Sequence, residues 1–144
     1  MSRRAIFLRP WRPGDERAFA PRADLAEEFA KVDWDWDWPP GPTWTVMRFP
    51  NQVIGVGGGV RVRRSATYQV WCVLAPVPRG DWPLLMRCAR AAFDHLERSH
   101  GARTLTAYVR DDFAGAAATL DRLGFTRRTA PGSYEGYTVM ARKL

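Results

Sequence analysis

The chain reads as a single α/β domain, a sheet flanked by helices, and three observations lead there. Residues 66–74 are apolar and rich in strand formers, and a loop dense in breakers, Pro76-Val77-Pro78-Arg79-Gly80-Asp81, follows them. Residues 82–99 then carry Leu85, Ala89, Ala92 and Leu96 at helical spacing, with Cys88 alongside. Further on, residues 104–109 alternate Leu105, Ala107 and Val109 against Thr104, Thr106 and Tyr108, the pattern of a half-buried strand. Helix and strand periods thus interleave along one chain of 144 residues, long enough to bury a core.

Taken in order, residues 5–9 form a short strand closed by Pro10. Pro13-Gly14-Asp15 opens a helical segment through Ala20, and residues 22–32 continue as a second helix with Leu25, Ala26 and Phe29 on one face. Residues 43–49 alternate as a strand, Pro50-Asn51-Gln52 turns the chain, and residues 53–62 make the next strand. Arg63-Arg64-Ser65 leads back into the strand at 66–74, and Gly101 is placed to cap the long helix. Asp111 or Asp112 caps a later helix whose apolar face is Phe113, Ala116, Ala117, Leu120 and Leu123, ended by Gly124. Residues 125–129 and 134–142 close the chain as a hairpin around Pro131-Gly132-Ser133. The element order is β-α-α-β-β-β-α-β-α-β-β, within one domain spanning residues 1–144.

Composition narrows the function classes. The formal net charge is +7, and Lys31 and Lys143 are the two lysines among 22 basic residues. The arginines are scattered, with Arg61-x-Arg63-Arg64 as the tight cluster, and no aromatic-basic motif surrounds it. A solvated basic face explains the charge better than a nucleic-acid site. No apolar run approaches a membrane span, and the first residues lack the long apolar segment of a signal peptide, so a cytoplasmic protein is expected. Cys72 and Cys88 each sit in an apolar segment and are expected as buried, reduced thiols.

A strand that runs through a glycine-containing loop into a helix aims the helix's free N–H groups at that loop, a common way to hold a phosphate. The element order, together with Ile6-Phe7-Leu8-Arg9-Pro10, Val53-Ile54-Gly55-Val56 and Leu123-Gly124-Phe125 at the end of the late helix, resembles the GNAT acyltransferase superfamily over nearly the whole chain. The resemblance implies a GNAT-like mixed, mostly antiparallel sheet flanked by helices. It also implies acetyl-coenzyme A as co-substrate, an amine acceptor that is a small molecule or a protein, and no covalent nucleophile. Pantetheine would pair with the fourth strand at Trp71, Cys72, Val73 and Leu74, and pyrophosphate would sit at Arg79 and Gly80.

The chain departs from that family in two places. Asp81 adds negative charge at the helix start, Trp82 adds bulk, and Pro83 removes an amide donor. Leu120 stands where the family often has a tyrosine acting as general acid, and Tyr108 substitutes for it only if it faces the cleft. Divergent phage-encoded members have similarly altered phosphate loops. The runner-up reading is therefore a GNAT-like domain that has lost catalysis and serves as an interaction or structural, phage-associated protein.

Asp33-Trp34-Asp35-Trp36-Asp37-Trp38 is the most unusual run. Extended, it separates indoles from carboxylates on opposite sides. In the resembling family this region borders the acceptor site, so Asp33, Asp35 and Asp37 would hold a cationic amine or a protein partner, with Trp36 as a wall. The competing reading is a rim loop whose tryptophans tuck onto the core. A calcium loop is excluded because Trp38 stands where Gly is required and Trp44 where Glu is required. Gly55-x-Gly57-Gly58-Gly59 is followed by a strand, which makes it a bulged or closely packed strand instead of a dinucleotide fingerprint. His95 and His100 have no ligand partners at metal-binding spacing, so surface or capping roles are expected and no metal site is assigned.

Overall fold

The computed structural model describes residues 5–22, 39–111, 114–128 and 136–144. Seven strands form one mixed sheet among them: β1 (Ile6–Pro10), β2 (Thr43–Arg48), β3 (Gln52–Arg61), β4 (Thr67–Leu74), β5 (Thr104–Arg110), β6 (Thr126–Arg128) and β7 (Tyr137–Lys143). The sheet order is β1-β2-β3-β4-β5-β7-β6. Every neighbouring pair is antiparallel except β4 and β5, which run parallel. That one parallel pair needs a crossover, and the helix α1 (Trp82–His100) supplies it. A second helix, α2 (Ala114–Arg122), joins β5 to β6.

Both helices lie on one face of the sheet because their apolar sides meet the same strand residues. Phe93 and Leu96 of α1 pack with Tyr68, Leu105, Ala107 and Val109, and Ala116, Ala117 and Leu120 of α2 rest against that cluster. The first half of α1 covers β1–β3 through Leu85 and Cys88, which meet Ile6, Val46 and Ile54. Gly59 lets α1 come this close: a Cβ there would sit 3.0 Å from Leu96 Cδ1. The glycine run is thus a strand packed against its neighbours, in unbroken register with β4. Helix α2 stops at Gly124, whose φ of 90° suits glycine. There Phe125 N–H donates to Leu120 O at 3.0 Å and Gly124 N–H to Asp121 O at 3.0 Å, the two bonds of a Schellman end.

Several sequence expectations change. The helical segment expected over 13–20 is a 3₁₀ turn, Asp15–Arg17. Asp15 is drawn to β1 and β2 instead of capping a helix. It accepts from Arg9 Nη1 and Nη2 at 2.7 and 2.9 Å, from Arg12 N–H at 2.8 Å and from Thr45 Oγ1 at 2.5 Å. The Asp111 carboxylate accepts from Thr138 Oγ1 on β7. Cys88 is buried as expected, but Cys72 is exposed. Phe93, absent from the expected apolar face of α1, is buried. The second helix expected at 22–32, Asp112, Phe113 and the turn of the closing hairpin lie outside the described residues.

Candidate functional site

The chemistry-bearing residues gather where β4 and β5 part. These strands align at three positions, Thr67 with Thr104, Tyr68 with Leu105 and Gln69 with Thr106, while β4 continues to Leu74 and β5 to Arg110. Strand β4 stays paired to β3 along its whole length. The hydrogen-bond alternation of that antiparallel pair shows which way the free edge points. Val62 N–H donates to Thr67 O and Ala75 N–H to Ile54 O, so odd-numbered residues of β4 bond to β3. The even-numbered Cys72 and Leu74 therefore turn their peptide groups toward the opening. Leu74 O accepts from Arg22 N–H at 3.0 Å, which brings Arg22 to the mouth of the cleft. The β4–β5 register ends at Gln69, so Cys72 has no aligned partner on β5.

Side chains follow the same alternation. Val70 and Leu74 pack on the face covered by α1, which places Trp71 and Val73 on the other face. Trp71 lies across the glycines of β3: a Cβ on Gly58 would stand 3.2 Å from its Nε1. On β5, Ala107 and Val109 are buried under the helices, and Tyr108, 39% exposed, projects from the opposite face two residues beyond the last aligned pair. Tyr108 thus shares the open half of the two strands with Trp71 and Val73.

Beyond β4 the chain makes a 3₁₀ turn, Arg79–Asp81, that runs straight into α1. Asp81 N–H donates to Pro78 O at 2.9 Å and Trp82 N–H to Arg79 O, while Pro83 has no N–H. The turn consumes amides that a phosphate would otherwise meet. Arg79 and Gly80 remain exposed, and among the described residues no atom beyond Gly80's chain neighbours comes within 4 Å of where a Cβ would stand. The Asp81 carboxylate, expected to face an anion here, is buried and paired: Arg48 Nη2 of β2 donates to Oδ2 at 2.9 Å. Sequence reasoning missed this pair. The partners stand 33 residues apart, and no local pattern links them.

The sequence-derived residues divide accordingly. The structure brings Trp71, Cys72, Val73, Leu74, Arg79, Gly80 and Tyr108 to one end of the sheet. Asp33, Asp35, Trp36 and Asp37 lie outside the described residues. Leu120 packs against the main core, as its helical face requires. His95 and His100 are exposed; His95 meets the edge of Trp44 with ring centroids 5.5 Å apart, and His100 lies 5.2 Å from His95. Among the described residues no group of three His, Cys, Asp or Glu is placed to hold a metal. A groove of about 480 Å³ beside Pro40, Pro42, Val60, Tyr68 and His100 lies at the opposite, closed end, away from these groups.

The whole described fold, with its parallel β4–β5 pair crossed by α1, superposes on solved N-acetyltransferases. A GCN5-related N-acetyltransferase from Kribbella flavida superposes with a TM-score of 0.70 at 20% identity, covering 97% of this chain and 98% of that one. The chain has the GNAT fold. The ribosomal-protein-S5-alanine acetyltransferase from Vibrio fischeri matches with a TM-score of 0.68 at 13% identity, over 99% and 95% of the two chains. A mutant spermidine N-acetyltransferase from Vibrio cholerae gives 0.66 at 15% identity, over 96% and 93%. No family model and no curated protein matches the sequence. On this GNAT frame the seven gathered residues occupy the open half of β4–β5 and the turn that follows it. No helix among the described residues is long and apolar enough to cross a membrane.

Proposed function

We propose that this chain is an acyl-CoA-dependent N-acyltransferase that transfers an acetyl group from acetyl-coenzyme A to an amine. The observation that carries the reading is the parting of β4 and β5, which leaves the Cys72 peptide group directed into a cleft beside an exposed Arg79-Gly80 turn. Those residues fit a pantetheine–pyrophosphate ligand: a strand edge for its amides, and a cation and an open glycine for its phosphates. Acetyl-coenzyme A supplies the activated thioester. The chain's own work is to align an amine against it, accept the amine's proton and protonate the departing sulfur.

Tyr108 is the assigned proton donor, on the grounds of its place on the open half of β5. Leu120 is core-packed and carries no proton to give. Cleft residues Trp71, Val73 and Leu74 line the donor path. Asp33, Asp35 and Asp37, with Trp36, are assigned to the acceptor, a small-molecule or protein amine. The neighbours that act on spermidine and on an alanine of a ribosomal protein show how wide that class is within the fold. A cytoplasmic setting agrees with such substrates.

The second reading, a catalytically inactive interaction or structural domain of phage-associated type, draws on specific observations. The turn uses the Asp81 and Trp82 amides internally, Pro83 offers none, and Leu120 replaces an acid. Calorimetric titration with acetyl-coenzyme A, followed by thiol release with a panel of amines, separates the two. Binding with thiol release supports the acyltransferase, and with Leu120 at the position of the family's usual acid the release is expected to be about 10²–10⁴-fold slower than with a tyrosine there. Further loss of turnover in Tyr108→Phe, or a gain in Leu120→Tyr, strengthens it. No binding at millimolar ligand overturns it in favour of the second reading.

A further inference from the structure

The Arg48–Asp81 pair has an unusual position. A carboxylate at the first turn of a helix ordinarily caps the free N–H groups, and its charge is favoured there by the helix dipole. At the start of α1 that arrangement would place a negative charge in competition with any phosphate. Asp81 makes no side-chain cap bond. It is 4% exposed, and its Oδ2 lies 2.9 Å from Arg48 Nη2. Arg48 comes from the end of β2, level with Ile6 of β1 and Gln52 of β3. Among the described residues its Nε is buried without a hydrogen-bond partner, which carries a desolvation cost.

We infer that Arg48 is a positioning residue for anion binding at the Arg79-Gly80 turn. It draws the Asp81 carboxylate toward the sheet and neutralises it, so that the outer face of the turn presents Arg79 and the Gly80 N–H without an opposing charge. The anion is the diphosphate of a coenzyme A-type ligand, and to that extent the inference rests on the function proposed above. Among the described residues Arg79 has no carboxylate partner of its own, so its charge is available to such a ligand. The apparent conflict of an aspartate in a phosphate turn is resolved by a residue 33 positions earlier.

The two halves of the pair then have opposite effects, which a purely structural ion pair would not show. Calorimetry on native protein, Arg48→Ala, Arg48→Lys, Asp81→Asn and Arg48→Ala/Asp81→Asn, with coenzyme A, inorganic pyrophosphate and pantetheine, reads this out. Arg48→Ala unmasks Asp81 and weakens coenzyme A and pyrophosphate about tenfold, roughly one decade of affinity, while pantetheine is unaffected. That loss shrinks at high salt, because it is a repulsion between charges near the surface. Asp81→Asn binds as well as native or better, the double variant returns close to native, and Arg48→Lys retains most of the affinity.

Equal losses in Arg48→Ala and Asp81→Asn, or equal losses for pantetheine and coenzyme A, overturn the inference while leaving the coenzyme A reading in place. Native protein that binds neither coenzyme A nor pyrophosphate overturns the coenzyme A reading and this inference together. Should Arg48→Ala fail to fold, Arg48→Gln keeps most of the side-chain bulk and makes the same comparison.

Discussion

The two halves of the β4–β5 pair are built from the same strands and behave oppositely. In the closed half Tyr68 lies level with Leu105, and Phe93 and Leu96 of α1 seal both from solvent. In the open half Cys72 is exposed, Tyr108 is 39% exposed, and the strands no longer align. Cohesion is concentrated where the strands meet, and the unpaired edge is held by neighbours on its far side, β3 for β4 and β7 for β5. A sheet can therefore leave peptide groups unpaired at one end without unravelling, because each open strand keeps a full ladder on its other edge. A candidate site on such an edge is rigid yet unsatisfied, which suits recognition of another peptide-like chain.

The largest expected effect breaks the closed half. Leu105 has no exposed surface, so Leu105→Ala leaves a cavity under α1 and costs about 2–5 kcal/mol of unfolding free energy. Cys72→Ala, in the open half, changes stability by less than about 0.5 kcal/mol, as surface substitutions usually do. Urea denaturation followed by circular dichroism measures both. Similar costs at the two positions would mean that the open half is as tightly integrated as the closed one.

Proline sharpens the same comparison at adjacent residues. Val73, level with Val56, donates its N–H to β3, so Val73→Pro removes a ladder bond in the middle of the sheet and costs about 3 kcal/mol or more. The Cys72 N–H points into the opening, where proline is tolerated as on an edge strand. Cys72→Pro is therefore expected to unfold at nearly the native denaturant concentration while losing affinity for coenzyme A in calorimetry. Equal destabilisation at 72 and 73 would show that the alternation derived from Val62 and Ala75 does not extend through β4.

Much of this architecture was legible in the sequence, because it is written in local periodicity. The alternation through Leu105, Ala107 and Val109 marks the face that α1 and α2 cover, and Gly124 marks the end of α2. The departures come from contacts no local pattern carries. Asp15 reads as a helix start, yet its carboxylate is captured by Arg9 and by Thr45, 30 residues later, and the helix becomes one 3₁₀ turn. Asp81 reads as an obstacle to phosphate until Arg48 is found beside it. Which peptide groups of β4 face the cleft is equally invisible to composition, since register decides it.

The Asp15 cluster offers a third, smaller test, on the β1–β2 side of the sheet away from the opening. Burial pushes its carboxyl pKa upward, but hydrogen bonds from Arg9, Thr45 and the Arg12 N–H, with the Arg9 charge, outweigh it and bring the value from 3.8 to about 2. A pKa lowered by folding stabilises the native state above the unfolded value, and that contribution fades as pH falls toward about 2. The shift corresponds to about 2 kcal/mol. Asp15→Asn should lose roughly that much near neutrality and show a flatter stability profile than native between about pH 4 and pH 2. Identical profiles would mean that other carboxylates govern acid unfolding.

The smallest expected effect concerns Arg79 and tests the open half directly. The side chain is exposed, so its attraction for a phosphate is screened and worth less than a buried charge-assisted bond. Removing it should cost about 1 kcal/mol, a loss of roughly fivefold in coenzyme A affinity. Unfolding free energy should stay unchanged, because Arg79 has no carboxylate partner among the described residues and its place in the 3₁₀ turn depends on backbone atoms. Inorganic pyrophosphate should lose affinity by the same factor and pantetheine by none, which assigns the contact to the phosphates. An Arg79→Ala variant that binds coenzyme A as tightly as native would move the anion site off this turn. The Gly80 N–H and the cleft edge at Cys72 would then have to account for all of the binding.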